Sequence, residues 1–154
     1  MKINLRKLIF SILIPLGLGA IVGFITSPGS NYNDMIQPNF APPGILFPIV
    51  WSILYIIMGI TSYIISESNS YDKDEASIVY IVQLVVNLLW SFLFFTFKWY
   101  FFSFLWILLL IALVLLMIRK FYRISKISGY LNIPYLLWLI FAAVLNLSIF
   151  FLNR

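Results

Sequence analysis

The chain has 154 residues, of which 63% are apolar and only 10% charged, with a formal net charge of +5. So little polar surface cannot coat a soluble globule, and the lack of cysteine and histidine excludes disulfides, thiolate or imidazole catalysis and the usual zinc, copper and haem ligands. The basic residues flank apolar stretches of membrane-span length, so membrane lipid headgroups, not nucleic acid, are the expected partner.

Crossing a hydrocarbon core takes about 20 apolar residues, and five such stretches predict an all-α, five-helix transmembrane bundle occupying 1–154 as a single domain. The first runs from Leu8 to Thr26 behind Lys2, Arg6 and Lys7. It resembles a secretory signal, but its length suits a full span and no small-residue cleavage site follows, so a retained helix is expected. Gly19 and Gly23 form a G-x-x-x-G step, which favours close helix packing within the chain or between copies. From Ser27 to Gly44, residues Pro28, Gly29, Pro38, Pro42 and Pro43 argue against a continuous helix, and Tyr32 and Phe40 make the connection too apolar for a tether. An ordered lid is expected.

The second span covers 46–66, with Pro48 in its first turn. The third covers 76–97 and the fourth 101–118, joined by a tight turn at Lys98 to Tyr100. A basic connection with Arg119, Lys120, Arg123 and Lys126 leads to the last span, 132–152. Lys and Arg number eight on the amino-terminal side (Lys2, Arg6, Lys7, Lys73, Arg119, Lys120, Arg123, Lys126) against Lys98 and Arg154 on the other. The positive-inside rule therefore predicts a multi-pass cell-membrane protein, with a cytoplasmic amino terminus and an extracytoplasmic carboxyl terminus and first loop.

All five acidic residues fall in the expected loops and no basic residue falls within an expected span, which argues against an ion-coupled transporter; no internal repeat is visible. The polar residues inside the spans carry the information. Gln83, Asn87 and Ser91 recur every four residues on one face of the third helix, a pattern that fits interhelical hydrogen bonding and ligand binding equally. Trp51, Tyr55, Met58 and Ser62 form an array on the second helix, and Tyr135, Trp138, Ala142 and Asn146 a similar one on the fifth. Spacing alone leaves two readings of the tryptophans, an interfacial belt and a flat wall for an aromatic ligand. Because the two helices start on opposite sides, spacing does not place them at one depth.

Three ordered blocks are more specific. They are Gln37-Pro38-Asn39-Phe40-Ala41-Pro42-Pro43 leading into Pro48 to Gly59; Gln83-Leu84-Val85-Val86-Asn87-Leu88-Leu89-Trp90 with Phe94-Phe95; and Pro134-Tyr135-Leu136-Leu137-Trp138-Leu139-Ile140-Phe141-Ala142 with Leu145-Asn146. On these blocks the chain resembles the TspO/MBR family of tryptophan-rich sensory and translocator proteins over nearly its whole length. The resemblance implies a cavity near one end of the bundle, under the first loop, that takes porphyrins such as protoporphyrin IX and aromatic drug-like ligands. It implies pocket residues Trp51, Asn87 and Trp138, with Tyr55, Trp90, Ser91 and Ala142 nearby, beneath Tyr32 and Pro42, and so puts both tryptophans on one cavity. It further implies light- and oxygen-dependent porphyrin degradation, with Trp51 and Trp138 as the active residues and with neither a covalent cofactor nor a metal. Passive transport of hydrophobic molecules, or ligand sensing without turnover, are the alternatives. A homodimer is expected from the same resemblance. The chain departs from the family in having Asn31, Phe40 and Ile45 where tryptophan is frequent, and the loose pattern at Leu116, Tyr122 and Lys126 is too weak to imply cholesterol binding.

Overall fold

The computed structural model describes residues 2–26 and 28–154 (for 28–30, the backbone alone); Ser27, the expected start of the long connection, lies outside the described residues. Among the described residues seven α-helices follow in order: α1 Leu5–Thr26, α2 Pro28–Asn33, α3 Leu46–Ser66, α4 Lys73–Ser91, α5 Tyr100–Ile124, α6 Lys126–Leu131 and α7 Ile133–Leu152. Five stretches are long and apolar enough to cross a membrane, and they pack as an all-α bundle: α1 lies against α3 and α4, α4 against α5, and α5 against α7. The protein is a five-helix, multi-pass membrane bundle.

α1 is the least buried span, with only Pro15 and Thr26 buried. Pro15 has no N–H for the carbonyl of Ser11 one turn earlier. Gly59 of α3 covers that carbonyl, since a Cβ built on Gly59 would stand 2.5 Å from Ser11 O and 2.4 Å from Ile12 Cα. Only a glycine lets the two backbones meet there. Farther along, Gly19 lies under the Tyr55 ring, where a Cβ would come within 2.3 Å of Cε2. One half of the glycine step thus serves packing within the chain, whereas Gly23 has nothing within 4 Å of a built Cβ.

Three boundaries differ from the sequence reading. The third span begins at Lys73, which places Asp74 and Glu75 in the first helical turn instead of a loop, where carboxylates complement the helix dipole. It also does not run evenly to residue 97: at Phe92–Thr96 it widens into a π turn, closed by Phe97 N–H donating to Phe92 O at 2.9 Å. The added residue turns both Phe94 and Phe95 into the core, and Lys98 then reverses the chain with φ 56°. The fourth helix continues to Ile124, so Arg119, Lys120 and Arg123 are helical. Arg119 and Arg123 are exposed and Lys120 pairs with Glu75 at 2.7 Å; side chains this long can carry their charges past the end of the hydrocarbon while the helix continues. Likewise α1 starts at Leu5 and includes Arg6 and Lys7, the latter paired with Glu67.

The long connection is not wholly irregular. Pro28 occupies the first position of α2, where its missing N–H is harmless. Beyond α2 the chain is tied down: the Tyr32 hydroxyl donates to Pro42 O at 2.9 Å and Gln37 Nε2 to Tyr32 O at 2.7 Å. Asn153 at the end of α7 accepts from Ile36 N–H at 3.0 Å and donates to Ile36 O at 2.8 Å. These bonds strap the loop across the end of the bundle.

Candidate functional site

Phe47, Trp51 and Tyr55 stand one turn apart on α3, so their rings share one face. That face, together with Leu16, Gly19, Ala20 and Gly23 of α1, walls a cavity of about 500 Å³. Ser91 and Phe95 close its back, and Phe95 gets there through the π turn. Trp51 stacks on Tyr55 with centroids 5.6 Å apart and planes at 28°. Among the described residues the lining holds no charged side chain; its polar side-chain groups are the Trp51 indole N–H, Ser52, which donates to Pro48 O, the Tyr55 hydroxyl, and Ser91, whose hydroxyl has no partner among the described residues. Size and lining suit one flat, largely apolar ligand.

A buried polar chain holds this wall. The Tyr55 hydroxyl donates to Asn87 Oδ1 at 2.8 Å, Asn87 Nδ2 to the Tyr135 hydroxyl at 2.6 Å, and the Tyr135 hydroxyl to Gln83 Oε1 at 2.7 Å. Asn87 is thereby engaged behind Tyr55 and does not line the cavity. The polar stripe of α4 therefore divides: Gln83 and Asn87 tie α3, α4 and α7 together, and Ser91 faces the cavity. A second layer follows one turn on, where Trp90 Nε1 donates to Asn146 Oδ1 at 3.1 Å, Ser103 donates to the same oxygen, and Asn146 Nδ2 donates to Tyr100 O. Trp90, stacked on Phe94 at 5.0 Å, and Ala142 are core residues that line neither cavity.

Trp138 stands elsewhere than the resemblance implied. It borders a second, largely apolar groove of about 430 Å³ between α3 and α7, with Leu54 and Phe141. Phe47 separates the two, contacting Trp138 edge-on at 5.8 Å while lining the first cavity. The helices, not the lid, impose this separation, because Trp51 of the first cavity and Ile53 of the second, two residues apart, face nearly opposite sides of α3. The indole N–H of Trp138 is buried without an acceptor among the described residues, whereas those of Trp90 and Trp106 are paired. Tyr32 is fully buried above the first cavity, 4.8 Å from Phe47, and burial pushes its phenol up to about 12. Pro42 serves through its carbonyl. Of the three positions that depart from tryptophan, Asn31 donates to Thr26 O, Phe40 meets Phe141 edge-on at 6.4 Å, and Ile45 is exposed.

This cavity, its lid and its tyrosine–amide support lie within the segment that matches the TspO/MBR family model, residues 11–152. The chain belongs to the TspO/MBR family. It is 36% identical over 97% of its length to a tryptophan-rich protein TspO of Archaeoglobus fulgidus, 99% of which is covered. It is 33% identical to the protein CrtK of Rhodobacter capsulatus, over 85% of this chain and 83% of that one. The human translocator protein matches at 28% identity, over 84% of this chain and 80% of its own. Within this TspO/MBR chain, Phe47, Phe95 and the α1 wall were not singled out as site residues. Phe47 could have been found by extending the Trp51–Tyr55 array back one turn, and α1 from its small residues at Gly19, Ala20 and Gly23. Phe95 could not, because a π turn decides which way it points.

Proposed function

We propose that this TspO/MBR protein binds protoporphyrin-like tetrapyrroles in the cavity between α1 and α3 and promotes their light- and oxygen-dependent degradation. The observation that carries the proposal is the cavity itself: about 500 Å³, charge-free, and walled by Trp51 stacked on Tyr55. A flat macrocycle gains most from such a wall, while its carboxylates stay at the aqueous rim because nothing inside would pair with them. The photoexcited porphyrin and oxygen supply the reactivity, with oxygen as oxidant and the macrocycle as the group oxidised. The chain contributes position and an indole at contact distance. Trp51 is that indole. Trp138 stands one ring behind, in contact with Phe47, and we assign it a role in the reaction through that ring.

The metal-free ring is favoured over haem because, among the described residues, the lining has no histidine, cysteine or methionine to ligate iron, and the hydroxyl of its one tyrosine, Tyr55, is engaged with Asn87. Titrating the purified protein with protoporphyrin IX should quench tryptophan fluorescence saturably, and absence of saturation would refute binding. Illumination at saturating porphyrin then tests turnover, with dark and oxygen-free controls. Trp51→Phe and Trp138→Phe should each lose most of the light-dependent porphyrin loss while keeping much of the affinity. Degradation unchanged in both variants, or equal in the dark, would refute the assigned roles.

A further inference from the structure

At the other end of the bundle from the lid, α5 and α6 meet in an elbow at Ser125 (φ −146°, ψ 114°). Gly129 is pressed onto the last turn of α5, where a Cβ would lie 2.7 Å from Tyr122 Cβ, and Tyr130 meets the Tyr122 ring edge-on at 5.5 Å. The six-residue α6 is therefore inverted relative to a helix on a soluble protein: it buries Ser128 and Gly129 and exposes Ile127, Tyr130 and Leu131. Such a segment belongs in the boundary between headgroups and acyl chains.

Beside it, α5 presents one continuous outer column. Leu108, Leu115 and Leu116 are exposed, and Arg119 and Arg123 follow at four-residue steps, with Lys126 just past the elbow, all three exposed. The neighbouring cation Lys120 is paired with Glu75, but Arg119, Arg123 and Lys126 have no ion-pair partner among the described residues. Two guanidiniums one turn apart form a fork for phosphate oxygens, directly above a leucine track as apolar as an acyl chain. The C-terminal dipole of α5 opposes an anion there with about half a charge, far less than the three cations supply.

We propose that this elbow binds one anionic phospholipid, its phosphate on Arg119 and Arg123 and one acyl chain along Leu115 and Leu108. The inference is independent of the tetrapyrrole reading. It differs from diffuse attraction in a measurable way: diffuse attraction is worth about fivefold per cation wherever it lies near the surface, so removing any two cations at this end would act alike. Delipidated wild-type protein in mild detergent should retain phosphatidylglycerol over phosphatidylcholine of the same chains in native mass spectrometry. Arg119→Gln with Arg123→Gln should reduce that preference at least tenfold more than Lys2→Gln with Arg6→Gln. Both Arg positions are exposed and unpaired, so circular dichroism and thermal unfolding in phosphatidylcholine alone should match wild type. Equal losses in the two double variants, or no wild-type preference, would overturn the proposal.

Discussion

Replacing Gly59 by alanine should detach α1. The new Cβ would lie 2.4 Å from Ile12 Cα and 2.5 Å from Ser11 O, against the 3.4 Å where ordinary contact begins, so α1 must retreat by about 1 Å (3.4 − 2.4). Both obstacles are backbone, and no rotamer change relieves them. Overpacking of this kind costs about 1–3 kcal/mol, while alanine gains at most about 1 kcal/mol in helix propensity. The steric term wins, for a net loss of up to about 2 kcal/mol. Because α1 buries only Pro15 and Thr26, the loss should appear as early release of α1. It should also weaken the ligand cavity, which α1 walls through Leu16, Gly19 and Gly23. Gly17→Ala is the matched control, since nothing lies within 4 Å of its built Cβ and only the propensity gain remains. Unfolding by SDS in mixed micelles, followed by circular dichroism, reads both variants. The reasoning fails if Gly59→Ala is as stable as Gly17→Ala.

Asn87→Leu removes the acceptor of the Tyr55 hydroxyl while Tyr135 keeps Gln83, so stability in the same micelles should fall by about 1–3 kcal/mol, the cost of one buried unsatisfied hydroxyl. An unchanged midpoint would show that water or another group takes over. Asn153→Ala breaks both bonds to Ile36, worth about 1–3 kcal/mol together, and should speed exchange of the Ile36 amide and porphyrin dissociation without changing unfolding of the spans. Unaltered exchange at Ile36 would contradict the strap. Tyr32 is protonated in the closed lid up to about 12, against an ordinary 10.0, so closure keeps its full stability below pH 10 and loses it as pH rises toward 12. Cleavage within 31–44 by an alkaline protease should increase over that window in wild type but not in Tyr32→Phe, and a parallel increase in both would refute the assignment.

Much of the architecture was legible because a bilayer imposes strong rules on composition. The five spans follow from apolar length, and Pro48 and Pro134 mark helix starts because a missing N–H is tolerated there, whereas Pro28 reads as a helix breaker and instead opens α2. Span ends were less legible at charged residues: Arg119 and Arg123 read as a loop, yet long side chains let a helix leave the hydrocarbon without ending. For the site, the α3 array of Trp51 and Tyr55 was visible because four-residue spacing already places side chains on one face. The Gln83–Asn87–Ser91 stripe was visible as a stripe, but its use was not.

Three features depended on the tertiary structure. Whether Asn87 faces a ligand or a neighbouring hydroxyl depends on Tyr55 and Tyr135, which approach from α3 and α7, and periodicity within α4 says nothing of either. Gly59 looked like any glycine in a membrane helix until Pro15, 44 positions earlier, left Ser11 O to be covered by it. The separation of Trp51 from Trp138 by Phe47 follows from the rotation of α3 about its own axis. Sequence by itself determined how many helices cross the membrane and which faces carry aromatic and amide groups, because solvation in lipid and helical pitch act locally. The helix partners, the cavity and the separation of Trp51 from Trp138 were decided only by packing, because those contacts join residues remote in sequence.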